Sequence, residues 1–198
     1  MYENSEVMDL KLYMVLLGAN PPGRFIEQHD VFFGIGSSLK ELVPALKEFW
    51  PEAKETLHID AWREVTYVNG FHIHIREKGL PQKLSDETTG NKLFFLNLGG
   101  YRKGEFEEFH YKMLVASETV SQAIKEAKKT AFYQHYGFKG APSHIDEKFG
   151  LDVDDLYNIA DILPEQLLDK YELVLQKIDY EYETDELHLE YLKLGKIK

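Results

Sequence analysis

Two rhythms of apolar and polar positions alternate along the chain. Largely apolar runs at 12–17, 31–35, 93–98 and 113–116 read as strands. Between them, Leu39, Leu42, Val43, Leu46, Phe49 and Trp50 recur at helical spacing, as do Val120, Ala123, Ile124, Ala127 and Ala131. Each helix is preceded by a capping-box pattern, Ser38 with Glu41 and Thr119 with Gln122. Pro44 is expected to kink the first helix or leave its first turn ragged. Strand-like runs at 65–67 and 71–75 flank Asn69-Gly70, a strong hairpin signal. Further on, residues 156–162 and 171–178 read as strands around a short helix near Pro164–Asp169.

The same order of elements occurs twice, and the repetition reaches individual residues. Residues 11–29 align without a gap on 92–110, at an offset of 81, with eight of nineteen positions identical. Gly23, Phe25, Glu27 and His29 fall on Gly104, Phe106, Glu108 and His110. His-Ile-Asp follows at 58–60 and again at 144–146, an offset of 86, so the second copy gains about five residues near 136–140. The chain is therefore expected to be a tandem duplication: a first unit at 1–80, a linker loop at 81–91, and a second unit at 92–198. Residues 183–195 resemble 87–99 and read as a third copy of the first strand alone, closing the last unit. The expected fold class is α+β. Each unit runs strand-loop-strand-helix-strand-strand, with one helix packed on an antiparallel sheet and a pseudo-twofold relating the units.

Composition narrows the function. Two halves of this size bury only small cores alone, so they are expected to pack on one another. The chain carries 23 Lys and Arg against 34 Asp and Glu, a net charge of −11, with no basic stripe. Nucleic acid and anionic membrane surfaces are therefore not expected partners. Without cysteine there is no disulfide, thiolate nucleophile or Cys-based zinc site. Neither a signal peptide nor an apolar run of membrane-spanning length is seen, so a soluble cytoplasmic protein is expected. A protein partner or homo-oligomer stays open, and cofactor and small-molecule ligand are unknown.

The strings Leu-Leu-Gly at 16–18, Pro-Gly-Arg-Phe-Ile-Glu-Gln-His-Asp-Val-Phe-Phe-Gly at 22–34 and His-Ile-Asp-Ala-Trp at 58–62 resemble the bacterial domain-of-unknown-function family 1543. Asn-Leu-Gly-Gly-Tyr at 97–101, Glu-Phe-Glu-Glu-Phe-His at 105–110 and Ser-His-Ile-Asp at 143–146 fit it too. The resemblance spans residues 11 to about 194 and implies one or two copies of the domain per chain, without an activity.

The chemistry concentrates in Gly23–Asp30 joined to His58-Ile59-Asp60, and in Gly104–His110 joined to His144-Ile145-Asp146. Candidate binding residues are Arg24, Glu27, His29, His58, Asp60, Glu108, His110, His144 and Asp146. Imidazoles beside carboxylates suit acid–base work or a divalent ion. No metal ligand is assigned, because Asp30 in the first copy faces Tyr111 in the second. In the structural alternative, Phe25 and Phe106 dock into the core and the His residues bond to backbone or to a neighbouring acid. His72 and His74 share a strand face expected to meet solvent. Arg24, Arg63 and Arg102 read as surface residues, and the acidic run 179–183 as a solvated turn. The leading expectation is a non-catalytic binding or interaction protein; the alternative is a His/Asp-based enzyme or metal-binding protein with paired sites.

Overall fold

The computed structural model describes residues 9–53, 55–79, 90–101, 104–130 and 153–197. β1 (Lys11–Ala19) and β2 (Gln28–Gly36) form an antiparallel hairpin, and β3 (His58–Glu64) pairs with the other side of β1. Between β2 and β3 lie a 3-10 turn at Leu39–Leu42 and α1 (Val43–Phe49). β4 (Tyr67–Val68) and β5 (Phe71–Glu77) complete the first half. In the second half β6 (Lys92–Tyr101) pairs with β7 (Glu108–Ser117), and α2 (Val120–Ala127) follows. β8 (Val153–Asn158) lies on the other side of β6. After it come α3 (Ile159–Ile162), α4 (Glu165–Lys170), β9 (Tyr171–Lys177) and β10 (His188–Lys193). Among the described residues these strands form three antiparallel sheets, in the orders β10-β3-β1-β2, β7-β6-β8 and β4-β5-β9. The fold is α+β.

β1 and, apart from Asn97, β6 are apolar through their centres because both faces of each strand are covered. Side chains alternate across a strand, so Tyr13, Val15 and Leu17 pack under α1 with Leu42 and Leu46, while Leu12 points the other way. In β6 the division repeats: Phe94, Leu96 and Leu98 meet Ala123 and Ala127 of α2, and Leu93 and Phe95 face inward. The inward faces meet in one core holding Leu12, Phe33, Ile35 and Ile73 from the first half and Leu93, Phe95, Leu114 and Leu175 from the second. Phe33 and Phe95 touch edge to face there, with centroids 5.4 Å apart.

Strand pairing departs from the expected units. β10 does not close the second unit; it pairs with β3 of the first, while β6 pairs with β7 and β8. Likeness of sequence between 183–195 and 87–99 therefore does not carry likeness of sheet contacts. β9 likewise pairs with β5, from Phe71↔Lys177 to Glu77↔Tyr171, so the third sheet is built from both halves. Of the described strands after residue 92, β9 and β10 thus pair with strands of the first half. The 156–162 run ends as a strand at Asn158, whose side chain accepts the Ala160 amide and starts α3.

The helix starts also differ. Thr119 and Gln122 form the full capping box. Ser38 makes no side-chain cap, because a 3-10 turn begins there; Glu41 instead accepts the Ser37 amide at 2.7 Å. Pro44 sits in the first turn of α1, where its missing N–H costs nothing.

Asn69 (φ 34°) and Gly70 (φ 90°) supply the two left-handed residues of the β4–β5 turn. Asn69 has a second role, since its Nδ2 donates to the Ala116 carbonyl at 2.9 Å and its Oδ1 accepts the Ala116 amide at 2.7 Å. One side chain thus ties the turn of the first half to β7 of the second. Asn69→Ala is expected to cost about 2–3 kcal/mol, from two lost hydrogen bonds and a left-handed backbone. Asn69→Gly should recover the backbone part alone. Chemical denaturation of both variants measures the split.

His72 and His74 do not simply face solvent. His74 Nε2 lies 2.9 Å from Gln176 Oε1, and the His72 ring lies against Tyr67 and His74 with centroids 4.7 and 3.9 Å away. Burial, and then the neighbouring His74, hold the His72 pKa below its ordinary 6.5. The unfolded chain therefore binds that proton more readily than the folded one. Its contribution is intact above pH 6.5 and is lost as pH falls below that value. Melting temperature should drop through that window, and less steeply in His72→Gln.

Candidate functional site

β2 brings Glu27 and His29 to the end of the hairpin, and β3 brings His58 and Asp60 beside them through the registers Gly18↔His29 and Gly18↔His58. The four side chains close into a ring. Asp60 Oδ2 is 3.3 Å from His29 Nε2, and Asp60 Oδ1 is 3.3 Å from His58 Nε2. Glu27 Oε1 is 3.0 Å from His58 Nε2, and Glu27 Oε2 is 3.8 Å from His29 Nε2. Imidazole and carboxylate alternate around it. His29 and Glu27 are partly exposed, whereas the His58 side chain is 3% exposed.

His58 is fixed from both sides. Its Nδ1 lies 2.8 Å from the Thr56 carbonyl, which only accepts, so Nδ1 carries a proton. The ring also lies against Tyr191 of β10, with centroids 4.3 Å apart. Nε2 is left buried and facing the two carboxylates, yet it makes no aligned hydrogen bond. Asp60 Oδ2 is likewise buried without an aligned donor.

The second hairpin carries a related cluster. His110 Nε2 is 3.3 Å from Asp154 Oδ2 and 4.0 Å from Glu108 Oε2. One ligand atom from each of Glu108, His110 and Asp154 can be chosen with all three within 4.8 Å of one another. This trio has the donors to hold a metal ion. Asp154 occupies the place that Asp60 has in the first half: Leu17 pairs with Ile59, and Leu98 pairs with Val153. His144 and Asp146 lie outside the described residues, as does Arg102. Arg24 is exposed in the turn before Glu27 and joins neither cluster. Arg63 faces the buried Asp185, with Nη1 3.9 Å from its carboxylate.

Residues 24–75 match the family model of Domain of Unknown Function DUF1543. The matched segment contains all four members of the first ring, Glu27, His29, His58 and Asp60. No curated protein matches the chain. A solved structure, that of a protein Il1583 from Idiomarina loihiensis, is similar in fold at 23% identity and a TM-score of 0.60. The similarity covers 94% of this chain and 99% of that one.

Three features of the matched segment and of the second hairpin escaped the sequence. Phe25 and Phe106 do not dock into the core; both are fully exposed at the hairpin tips. Asp30 leaves the ring and accepts the Val31 amide at 2.7 Å, so its mismatch with Tyr111 has no bearing on the cluster. Gly18 is a site residue by absence: a Cβ there would strike the Asp60 carboxylate and stand 2.6 Å from His58 Nε2. Gly99 lies against the Asp154 carboxylate in the same way. A glycine within an apolar strand, present in both hairpins, was the available signal.

Both clusters open on one cleft of about 1180 Å³, lined by Glu27 and His29 on one side and Glu108 and His110 on the other. Its described lining residues hold five carboxylates, Glu27, Asp30, Glu107, Glu108 and Asp155, and one ammonium, Lys112. Burial holds Lys112 below its ordinary pKa, partly offset by Asp30. Phe32, Phe49, Phe95 and Tyr157 supply apolar wall.

Proposed function

We propose that this chain is a non-catalytic binding protein whose ligand lies in the cleft between its two halves. The observation that carries the reading is the single cavity onto which Glu27 and His29, and Glu108 and His110, both open. Cavities of roughly 300–1,000 Å³ hold small organic ligands, so this one has room for one. Five carboxylates against one ammonium favour a ligand bearing cationic or hydrogen-bond-donating groups. The aromatic walls favour an apolar body between those groups. We also read the two halves as copies of one duplicated unit. Supporting this, β6–β7 keeps the register of β1–β2 at an offset of 81, Lys11↔Gly36 against Lys92↔Ser117. A cytoplasmic, bacterial setting belongs to the same reading.

A ligand-observed NMR screen of small amines and small carboxylic acids tests it. Amines with an aromatic or aliphatic body should bind, and His29→Ala and His110→Ala should each weaken the same hits about tenfold. Both histidines are partly exposed, so melting temperature should hardly change. Hits confined to acids, or insensitive to both variants, would refute the reading.

A further inference from the structure

The ring of Glu27, His29, His58 and Asp60 has a defect as a purely protein structure. His58 Nδ1 spends its proton on the Thr56 carbonyl. Nε2 then presents a lone pair toward two carboxylates 3.0 and 3.3 Å away, from a side chain that is 3% exposed. Lone pair against carboxylate is repulsive. A second proton would cure this if one carboxylate stood in line with the N–H, but neither is aligned to accept it. Off-axis oxygens are where the other ligands of a metal stand when the metal itself lies on the axis. The four contacts around the ring, 3.0, 3.3, 3.3 and 3.8 Å, run through both oxygens of Glu27 and of Asp60 and place a carboxylate on either side of each imidazole Nε2.

We infer that Glu27, His29, His58 and Asp60 form a binding site for a first-row transition-metal dication. Two imidazoles with two carboxylates select zinc, cobalt, manganese or ferrous iron over magnesium, which prefers oxygen donors and retained water. Thr56 acts as the outer partner that sets the His58 tautomer, as backbone carbonyls do behind metal-bound imidazoles. Gly18 leaves the room in which His58 and Asp60 converge. The ion would form part of one wall of the cleft, through Glu27 and His29. The site goes beyond the organic-ligand reading, and the two can fail separately.

The test uses the full chain, stripped with a chelator and titrated with Co²⁺, then Zn²⁺, with Mg²⁺ in parallel. The expected result is a tight cobalt ion with a visible ligand-field spectrum, displaced by zinc and unmoved by magnesium. His29→Ala and Asp60→Asn should each weaken cobalt binding about 100-fold and bleach the spectrum. Should Asp60→Asn fold poorly, His29→Ala decides alone, because that side chain is 45% exposed. Absence of the spectrum in the wild type, or equal affinity in wild type and His29→Ala, overturns the inference. Amine binding that persists in chelator without any cobalt spectrum would overturn the metal site and keep the cleft. A cobalt spectrum without amine hits would do the reverse.

Discussion

Phe95→Ala is expected to destabilise the whole chain by about 3–5 kcal/mol, in a single transition. Phe95 belongs to the second half and is 6% exposed, but its ring packs on Phe33 of the first half in the core common to both. Truncation removes a large buried side chain and leaves a void between sheets that cannot close without moving both. Both tryptophans, Trp50 and Trp62, lie in the first half. Their fluorescence and far-UV circular dichroism should therefore shift to the same lower denaturant midpoint. A tryptophan midpoint that stays at the wild-type value would mean that the halves unfold independently. A double-mutant cycle with Phe33→Leu should report a coupling of about 0.5–1.5 kcal/mol.

Gly18→Ala is the second large effect, and it acts on the site. The added methyl would collide with the Asp60 carboxylate and stand 2.6 Å from His58 Nε2. Asp60 and His58 must separate, and overpacking at this buried end of β1 should cost about 1–3 kcal/mol. Cobalt affinity should fall more than 100-fold, since two of the four donors are displaced together. Gly195→Ala, with nothing within 4 Å of the new Cβ, is the matched control. Retained affinity in Gly18→Ala would show that the carboxylate and imidazole need not converge over this glycine.

How far the sequence reached can be judged element by element. The hairpins, both main helices and the Asn69-Gly70 turn were legible because each rests on local chemistry: apolar runs, helical spacing, a capping pair and a turn that demands positive φ. Partners of strands far apart in the chain were not legible. β5 with β9 and β3 with β10 are joined by inter-strand bonds that leave no local pattern, and likeness between 183–195 and 87–99 pointed elsewhere.

In the site, Glu27, His29, His58 and Asp60 were all named from sequence, and the hairpin register draws them together. Asp154 was missed because the His-Ile-Asp string at 144–146 drew the comparison to an offset of 86. The strand paired like β3 begins instead at Val153, 94 residues beyond Ile59. The exposure of Phe25 and Phe106 had no sequence signal, since an aromatic residue beside a glycine ordinarily reads as an anchor.

X-ray diffraction from crystals grown with zinc, measured on either side of the zinc absorption edge, bears most directly on whether the first-half ring is one site. An anomalous peak is expected about 2.0–2.2 Å from both His29 Nε2 and His58 Nε2, with Glu27 and Asp60 oxygens completing the shell. A map without a peak there, with His58 Nε2 hydrogen-bonded in line to Glu27, would show that the ring is held by a proton and contradict the account.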